Sequence, residues 1–181
     1  MDIVERNLVY TGRAFRVESV QVRLPDGRVR RYDLVNHRGA VTILPLDADG
    51  QVWFVRQWRI GAQQELLELP AGVLEEGEDP AVGAAREVRE EIGLAAGKLL
   101  EIGQFYMAPG YSTELMHVFL ATDLYPDPLR ADDDEFLEVI RIPLVQVLEM
   151  ACHGEITDGK TLSSLLLAQK HIEQKGQEAG G

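Results

Sequence analysis

The chain has almost no cysteine and no long apolar run. Cys152 is the single cysteine among 181 residues, so no intrachain disulfide can form. No segment approaches the roughly 20 apolar residues of a membrane-spanning helix, and the N-terminal segment "MDIVERNLVYTG" has neither the basic nor the apolar region of a signal peptide. These absences predict a cytoplasmic protein without disulfides and without a membrane span.

Positive charge is also scarce. Lysine and arginine total 18 against 30 aspartates and glutamates, a formal net charge of -12. Such a surface does not attract phosphate backbones or anionic lipid, which argues against nucleic-acid and membrane partners. The four histidines form no HxxxH pair, and the sequence has no GxSxG motif. Neither a zinc site nor a serine nucleophile is therefore indicated, and water is the expected nucleophile.

The first third of the chain is typical of β structure. Two Asp-Gly turn signals predict two hairpins, one of "FRVESVQVRL" with "VRRYDLV" and one of "VTILPL" with "VWFVRQW". A short strand in "ELLELPAG" should end at its Pro-Ala-Gly break. A helix should then run from about Pro80 to Ile92, because Asp79 suits its N-cap and Gly93 its C-cap.

The remaining elements complete a mixed arrangement. Strands are predicted in "KLLEIGQFYMAP", "ELMHVFLATDL" and "LEVIRIP". Helices are predicted at about Leu144 to Cys152 and, after a cap at Thr157, from Thr161 to Gln174. This order favours an α/β fold in which helices cover both faces of a mixed sheet.

The helix in the middle of the chain is unusually acidic near its C-terminal end. Four apolar positions share one arc and are predicted to face the core: Ala81, Ala85, Val88 and Ile92. Glu87, Glu90 and Glu91 should lie on the other side, where Gly83 leaves space for a bound group. Like charges three and four residues apart cost roughly 0.2 to 0.5 kcal/mol per pair, and they also oppose the helix dipole.

A divalent cation would remove this repulsion. Carboxylates at positions i, i+3 and i+4 converge on a small volume, which suits a hard cation that also binds substrate phosphates. For the segment "REVREE" alone, a solvated acidic face paired with Arg86 and Arg89 is the alternative interpretation.

The wider segment favours the metal site. From Gly72 the chain reads "GVLEEGEDPAVGAAREVREEIGL", which resembles the Nudix hydrolase signature at every specified position. The resemblance implies a Nudix-type α/β/α sandwich with a mixed β-sheet, and hydrolysis of a nucleoside diphosphate linked to another moiety. It also implies a site whose metal is Mg²⁺, with Mn²⁺ or another divalent cation as alternatives. The implied metal ligands are Glu87, Glu90, Glu91 and the carbonyl of Ala71, and the implied supporting residues are Gly72, Glu78 and Arg86.

Segments outside the signature resemble the ADP-ribose pyrophosphatase branch of that family. These are "RQWRIGAQQELLELPAG" before it and "APGYSTE", Ala108 to Glu114, after it. The resemblance implies that Arg59 contacts the diphosphate or terminal ribose, and we add Arg56, Tyr111 and Ser112 as candidate substrate-binding residues. A surface ion pair for Arg59 and a plain turn around Tyr111 stay open, as does adenine stacking or core packing for the two tryptophans, Trp53 and Trp58.

The attacking water needs a base, and the acidic run "ADDDEFLEV" offers candidates. The resemblance implies that Glu135 is this base, with Asp134 and Asp133 as alternatives. The acidic run could instead be a solvated loop without a catalytic role, in which case Glu90 is the first candidate for the base. The predicted reaction converts ADP-ribose to AMP and ribose 5-phosphate. The alternatives are another nucleotide sugar such as GDP-mannose, or a non-catalytic module that senses ADP-ribose.

The expected organisation has three parts. Residues 1–36 form an N-terminal antiparallel β-hairpin region, residues 37–175 form the hydrolase domain, and residues 176–181 form a disordered tail. A long hairpin is not stable alone in water, and the branch resembled is homodimeric with exchanged N-terminal strands. The resemblance therefore implies a homodimer. The other expected partner is a small molecule, a nucleoside diphosphate sugar.

Overall fold

The computed structural model describes residues 1–130 and 136–178, with side chains to Ile172. The strands in this part of the chain are β1 (Asp2–Thr11), β2 (Phe15–Arg23), β3 (Val29–His37), β4 (Ala40–Pro45), β5 (Gln51–Arg59), β6 (Gln64–Glu68), β7 (Ala71–Val73), β8 (Leu94–Tyr106), β9 (Leu115–Pro126) and β10 (Glu138–Pro143). The helices are α1 (Pro80–Ile92), α2 (Leu144–Cys152) and α3 (Gly159–Glu178). No helix among the described residues is long and apolar enough to cross a membrane.

The N-terminal region is a three-stranded antiparallel sheet in the order β1-β2-β3. The predicted hairpin of β2 and β3 is confirmed, with Phe15 opposite His37 at one end and Arg23 opposite Val29 at the turn. Strand β1, all of whose residues are exposed, is not among the strands predicted from the sequence. A strand that buries neither face lacks the apolar alternation by which strands are recognised.

The rest of the chain forms two further sheets with helices on both faces. Their orders are β10-β5-β6 and β7-β4-β9-β8, and only β4 and β9 pair in parallel among the described strands. Helix α1 packs Val88 against Val41 and Ile43, whereas α2 and α3 pack on the opposite side of β4, around Leu44. The expected α/β/α sandwich with a mixed sheet is therefore confirmed.

The second predicted hairpin is wrong. Strands β4 and β5 flank the Asp-Gly turn but belong to different sheets, and only an isolated bridge between Leu46 and Val52 joins the two segments. Strand β4 instead pairs with β9 and β7. A turn signal shows where the chain reverses, but it does not show which distant strand completes the hydrogen bonds of a buried strand.

The helices largely follow the local signals. Helix α1 has the predicted bounds: the side chain of Asp79 accepts from the N–H of Ala81 and Val82, and Gly93 ends the helix with φ of 72°. Helix α2 also has the predicted bounds. Helix α3 begins earlier than predicted and is capped by Asp158 instead of Thr157, because Asp158 Oδ2 accepts from Thr161 N–H at 3.0 Å. It includes residues 176–178, which the sequence assigns to a disordered tail.

The buried face of α1 differs from the prediction. Ala84, Val88 and Ile92 are buried, whereas Ala81 and Ala85 are exposed. Glu87 and Glu91 are buried on the same side of the helix as this apolar stripe, with relative exposures of 7% and 5%. The prediction failed because it placed the three glutamates opposite the core-facing stripe, although strand β7 lies against the face that carries Glu87 and Glu91.

Candidate active site

Strand β7 and helix α1 approach each other closely at Gly72. A Cβ atom on Gly72 would lie 1.9 Å from Oε1 of Glu87, so the carboxylate of Glu87 lies directly against the strand backbone. One turn along the helix, Oε2 of Glu91 accepts a hydrogen bond from the N–H of Ala71 at 2.9 Å. Two of the three glutamates predicted as metal ligands therefore lie beside the Ala71–Gly72 peptide, and only glycine fits the second position.

Arg86 binds three glutamates around this approach. Its Nε and Nη2 each donate to Glu78 at 3.0 Å, and its Nη1 donates to Oε1 of Glu87 at 2.6 Å and to Oε2 of Glu90 at 2.8 Å. The hydrogen bonds from Arg86 hold the pKa of Glu78 below its ordinary value, and those from Glu78 raise the pKa of Arg86. Glu78 also accepts from Glu75 N–H at 2.9 Å. The expected salt bridge between loop and helix is thus present.

The arrangement of the carboxylates differs from a ready-made metal cage. Among the residues that the structure describes, no three His, Cys, Asp or Glu side chains form a metal-binding group. Arg86 holds Glu87 and Glu90, while Glu91 binds a backbone N–H. The predicted convergence of all three glutamates at one point is therefore not seen.

The donor set nevertheless fits a hard divalent cation. It consists of carboxylate oxygens beside a strand whose carbonyls are oxygen donors, the ligand type that Mg²⁺ prefers. Arg86 contacts one oxygen of Glu87 and one of Glu90, and a carboxylate has about four lone-pair sites to share. The absent side chain of Gly72 lets the Glu87 carboxylate reach the backbone next to Ala71.

Gly83 does not leave the expected space for a ligand. A Cβ atom there would lie 2.7 Å from Cδ2 of Leu74 and 3.1 Å from Oε2 of Glu78. The missing side chain is thus filled by the loop that precedes the helix. Gly83 allows this loop to pack on α1 and so supports the Glu78–Arg86 salt bridge.

Arg59 ends strand β5 and forms a two-pronged ion pair. Its Nε and Nη2 donate to the two oxygens of Glu68 on the neighbouring strand β6, at 2.7 and 2.6 Å. The hydrogen bonds from Glu68 raise the pKa of Arg59, and the negative charge of Glu91 contributes in the same direction. Arg59 is therefore both a member of an ion pair and close enough to the acidic site to interact with it.

The other candidate substrate residues are less directed toward the site. Arg56 forms an exposed cross-strand pair with Glu138 of β10 at 3.1 Å. Ser112 is buried and its hydroxyl accepts from Glu114 N–H at 3.1 Å, which is a turn role. Tyr111 has an exposed side chain, and its carbonyl accepts from Val35 N–H at 2.7 Å.

The two tryptophans have different environments. Trp53 donates its indole N–H to Asp47 at 3.0 Å and lies under the guanidinium of Arg141, 5.1 Å from the ring centre. Trp58 is 61% exposed. Trp53 is thus held within the fold. Glu135 and its alternatives Asp133 and Asp134 lie outside the described residues.

Two structural features near the site have no clear signal in the sequence. One is a groove of about 510 Å³ between the β1–β2 turn and the loop before α1, lined by Phe15, Arg16 and Arg38 on one side and Glu75 and Glu78 on the other. Its size is that of a small-molecule site. The residues that line it come from distant segments, so no local pattern indicates it.

The second feature is the set of charged residues around Glu68. Lys160 and Asp158, at the start of α3, join Glu68 in the interior of the fold. The sequence signal is weak, because Glu68 stands within the apolar segment "LLELP" and Lys160 stands 92 positions away. A charged residue inside an apolar strand is the one available hint of a buried partner.

Comparison with known proteins settles the family. The sequence profile of the NUDIX domain matches residues 36–164 of this chain. The chain belongs to the NUDIX family. It is 34% identical over 168 residues to an ADP-ribose pyrophosphatase of Bacillus subtilis (strain 168), a match that covers 92% of this chain and 91% of that protein.

Two further proteins are similar to this chain over most of their length. A crystal structure of an ADP compounds hydrolase superimposes with a TM-score of 0.85 and 29% identity, covering 97% of this chain and 95% of the other. A GDP-mannose pyrophosphatase of Escherichia coli O1:K1 / APEC is 36% identical over 162 residues, covering 81% of this chain and 83% of that protein. The Nudix segment from Gly72 to Leu94 is therefore the acidic site built by β7 and α1, in an enzyme family whose members generally use divalent cations.

Proposed function

We propose that this chain is a Nudix hydrolase that cleaves the diphosphate of ADP-ribose to give AMP and ribose 5-phosphate. The observation that carries the proposal is the packing of Glu87 and Glu91 against the Ala71–Gly72 backbone. This acidic site occurs in a chain that is similar, over 92% of its length, to an ADP-ribose pyrophosphatase. A sensor that only binds its ligand has no need of the intact acidic set.

The residues divide the work between holding charge and moving a proton. Glu87, Glu90 and Glu91, with the carbonyl of Ala71, would hold Mg²⁺ or another divalent cation, which when bound supplies charge neutralisation of the diphosphate and a more acidic water. Arg86 fixes the carboxylates of Glu87 and Glu90 through Nη1.

Arg59 and Glu135 complete the proposed machinery. Arg59 uses Nε and Nη2 for Glu68, and within the described residues its Nη1 donates no hydrogen bond. This edge of the guanidinium suits a phosphate oxygen. Because Arg56 is instead committed to an exposed pair with Glu138, Arg59 is the stronger candidate of the two arginines. Glu135 would accept the proton of the attacking water through a carboxylate oxygen.

The substrate is tested with a panel of nucleotide sugars. Purified protein is incubated with ADP-ribose, GDP-mannose, dinucleotides and NADH in Mg²⁺, and products are identified by chromatography and mass spectrometry. ADP-ribose should give the highest kcat/KM, with AMP and ribose 5-phosphate as products. Preferred turnover of GDP-mannose would make GDP-mannose the substrate instead of ADP-ribose. This alternative is favoured by the similarity of the chain to a GDP-mannose pyrophosphatase. Binding of ADP-ribose without turnover of any compound would establish the sensor.

The general base is tested by three single variants of the acidic run. Glu135→Gln should lower kcat roughly 100-fold to 10,000-fold, the usual scale for general acid–base catalysis, with little change in affinity for the metal. Asp133→Asn and Asp134→Asn are the matched controls and should lose much less. If an aspartate variant is the most damaged, the base lies earlier in the run; if all three stay active, Glu90 becomes the candidate.

We further propose that the protein is a cytoplasmic homodimer. Support for association comes from the N-terminal sheet, which leaves many large apolar side chains exposed: Ile3, Val4, Leu8, Val9, Tyr10, Phe15, Val29 and Tyr32. Monomeric proteins rarely expose apolar residues in such a concentration. A second copy of the same sheet would cover those on the face against which it packs.

A further inference from the structure

Four charged side chains form a continuous network from the interior of the fold to its surface. Arg59 binds both oxygens of Glu68, and Nζ of Lys160 donates to Oε2 of the same carboxylate. Lys160 also donates to Oδ2 of Asp158 at 2.9 Å. Two cations and two anions thus alternate in the order Arg59, Glu68, Lys160 and Asp158.

The members of the network differ sharply in exposure. The side chains of Glu68, Lys160 and Asp158 are 1%, 8% and 12% exposed, whereas that of Arg59 is 41% exposed. Arg59 is therefore the group through which the network meets solvent. Because buried charges are poorly screened, the charges of Lys160 and Glu68 act strongly on this guanidinium.

The network also fixes the strand that leads to the acidic site. Oδ2 of Asp158 accepts from the N–H and from the hydroxyl of Thr161, and Oγ1 of Thr161 accepts from Leu69 N–H at 2.9 Å. Two residues further on, Ala71 is bound to Glu91. The start of α3 therefore holds residues 68–69, and α1 holds residue 71.

Stability alone is a weak reason for this arrangement. Buried ion pairs are costly to desolvate, and apolar residues of similar volume often stabilise a fold as well or better. The electrostatic consequence is more specific. An isolated Arg59–Glu68 pair is neutral and attracts an anion weakly, whereas Lys160 offsets part of the Glu68 charge and leaves the exposed Arg59 with a net positive charge.

We propose that Lys160 is a positioning residue: by sharing the Glu68 carboxylate with Arg59, it fixes the Arg59 guanidinium and keeps its positive charge available for the diphosphate of the substrate. This inference rests on the proposed function, in which Arg59 binds that diphosphate. Asp158 balances the charge of Lys160 and anchors it to the first turn of α3. Lys160 itself touches neither the substrate nor the reacting atoms.

The test separates charge from packing. Lys160→Met should raise the KM for ADP-ribose roughly 10-fold, the scale of one unit charge acting over about 10 Å at an effective dielectric constant of about 20. The turnover number at saturation should change little. Arg59→Ala sets the upper limit of the loss. Lys170→Met, which removes an exposed lysine from the same helix, is the matched control and should leave KM unchanged.

A second variant restores the net charge of the four-residue network without restoring the lysine. Lys160→Met combined with Asp158→Asn returns the network to neutrality but leaves Arg59 without the lysine that fixes it, so its KM should lie between those of Lys160→Met and the wild-type protein. An unchanged KM in folded Lys160→Met, or a double variant no better than the single one, overturns the proposal. If Lys160→Met does not fold, the double variant is compared with Asp158→Asn alone. The double variant, which also lacks the lysine charge, should then have the higher KM, and equal KM values for the two proteins overturn the proposal.

A structural measurement separates this inference from the proposed function. If the wild-type protein does not act on ADP-ribose, the proposed function has failed, and crystal structures of the wild-type protein and the double variant decide the positioning role. Loss of Lys160 should displace or disorder the Arg59 guanidinium. An Arg59 side chain unchanged in position and order contradicts the role whatever the substrate is.

Discussion

At the scale of single residues, Arg86 determines how the acidic side chains are held. It binds Glu78 through two nitrogens and reaches Glu87 and Glu90 with the third. An arginine suits this position better than a lysine would, because its planar fork presents several donors in fixed directions. The charge of the loop is thus joined to the charge of the helix through one guanidinium.

The Glu78–Arg86 pair predicts a dependence of stability on pH. The pKa of Glu78 lies below its ordinary value of 4.5 in the folded protein, chiefly because of the hydrogen bonds from Arg86. Its contribution to folding is therefore complete above pH 4.5 and is lost as the pH falls through the lowered pKa. Glu78→Gln should lower the free energy of unfolding at pH 7 by about 1 to 3 kcal/mol.

Urea denaturation of both proteins between pH 7 and pH 3 measures this effect. The difference between wild type and variant should be constant at neutral pH and should shrink in acid. Glu76→Gln, in the exposed part of the same loop, is the control and should show no such difference. A gap between wild type and Glu78→Gln that is independent of pH would mean that the pair contributes packing and no linkage.

The proposed metal ligands give a separate prediction at this scale. Glu87→Gln and Glu91→Gln should each lower turnover by orders of magnitude and weaken divalent-cation binding, because an amide is a poor ligand for a hard cation. Both folds should survive, because the amide introduced at position 91 retains an oxygen for the Ala71 N–H and the amide at position 87 keeps the shape beside Gly72. EDTA should abolish wild-type activity and added Mg²⁺ should restore it. Near wild-type rates in both variants, measured at saturating Mg²⁺, would remove the metal-site hypothesis.

At the scale of elements, the site depends on the close approach of strand β7 to helix α1. Gly72→Ala places a methyl group where the Glu87 carboxylate lies, 1.9 Å from Oε1. Either the carboxylate or the strand must move, so we expect both turnover and cation affinity to fall at least tenfold, by analogy with the cost of a displaced catalytic group. Gly77→Ala, at a glycine with φ of 76° in the loop between β7 and α1, should destabilise the fold without this loss of cation affinity. Calorimetric titration with Mg²⁺ and a thermal melt separate the two effects.

The elements also show how far sequence reasoning extends. Helix α1 was predicted to the residue because Asp79, Pro80 and Gly93 are local signals that act within a turn or two. The strands that pair with β4 were not predicted, because parallel pairing with β9 depends on contacts between distant segments. For the same reason the Lys160–Glu68 contact, which spans 92 positions, was not anticipated.

The acidic site lies between these two cases. The spacing of Glu87, Glu90 and Glu91 predicted a cation site. Only the resemblance to the Nudix signature predicted that Ala71 and Gly72 belong to the same site. Neither source indicated that Glu87 and Glu91 are buried, since charge normally predicts exposure. The burial follows from the glycine at position 72, which lets the strand cover the helix face.

At the scale of the whole molecule, the N-terminal sheet is attached to the remainder by few hydrogen bonds. Strand β3 joins the loop at Tyr111 and Thr113 through the N–H and C=O of Val35. Among the described elements, β2 is the only one that the exposed strand β1 contacts extensively. Most of the apolar surface of this sheet is therefore left for a partner, and a second copy of the chain is the partner that we propose.

The homodimer is the final prediction. Light scattering at micromolar concentration should give twice the monomer mass of 20.2 kDa. Leu8→Glu and Val9→Glu place a charge on opposite faces of β1, so at least one of them should shift the population to monomer; Val145→Glu, at an equally exposed apolar residue of α2, should not. Removal of residues 1–36 should abolish association and lower activity, because the loop at Tyr111 and Thr113 loses its hydrogen bonds to Val35. A monomeric wild-type protein, or full activity after that removal, contradicts a functional role for the sheet as an interface.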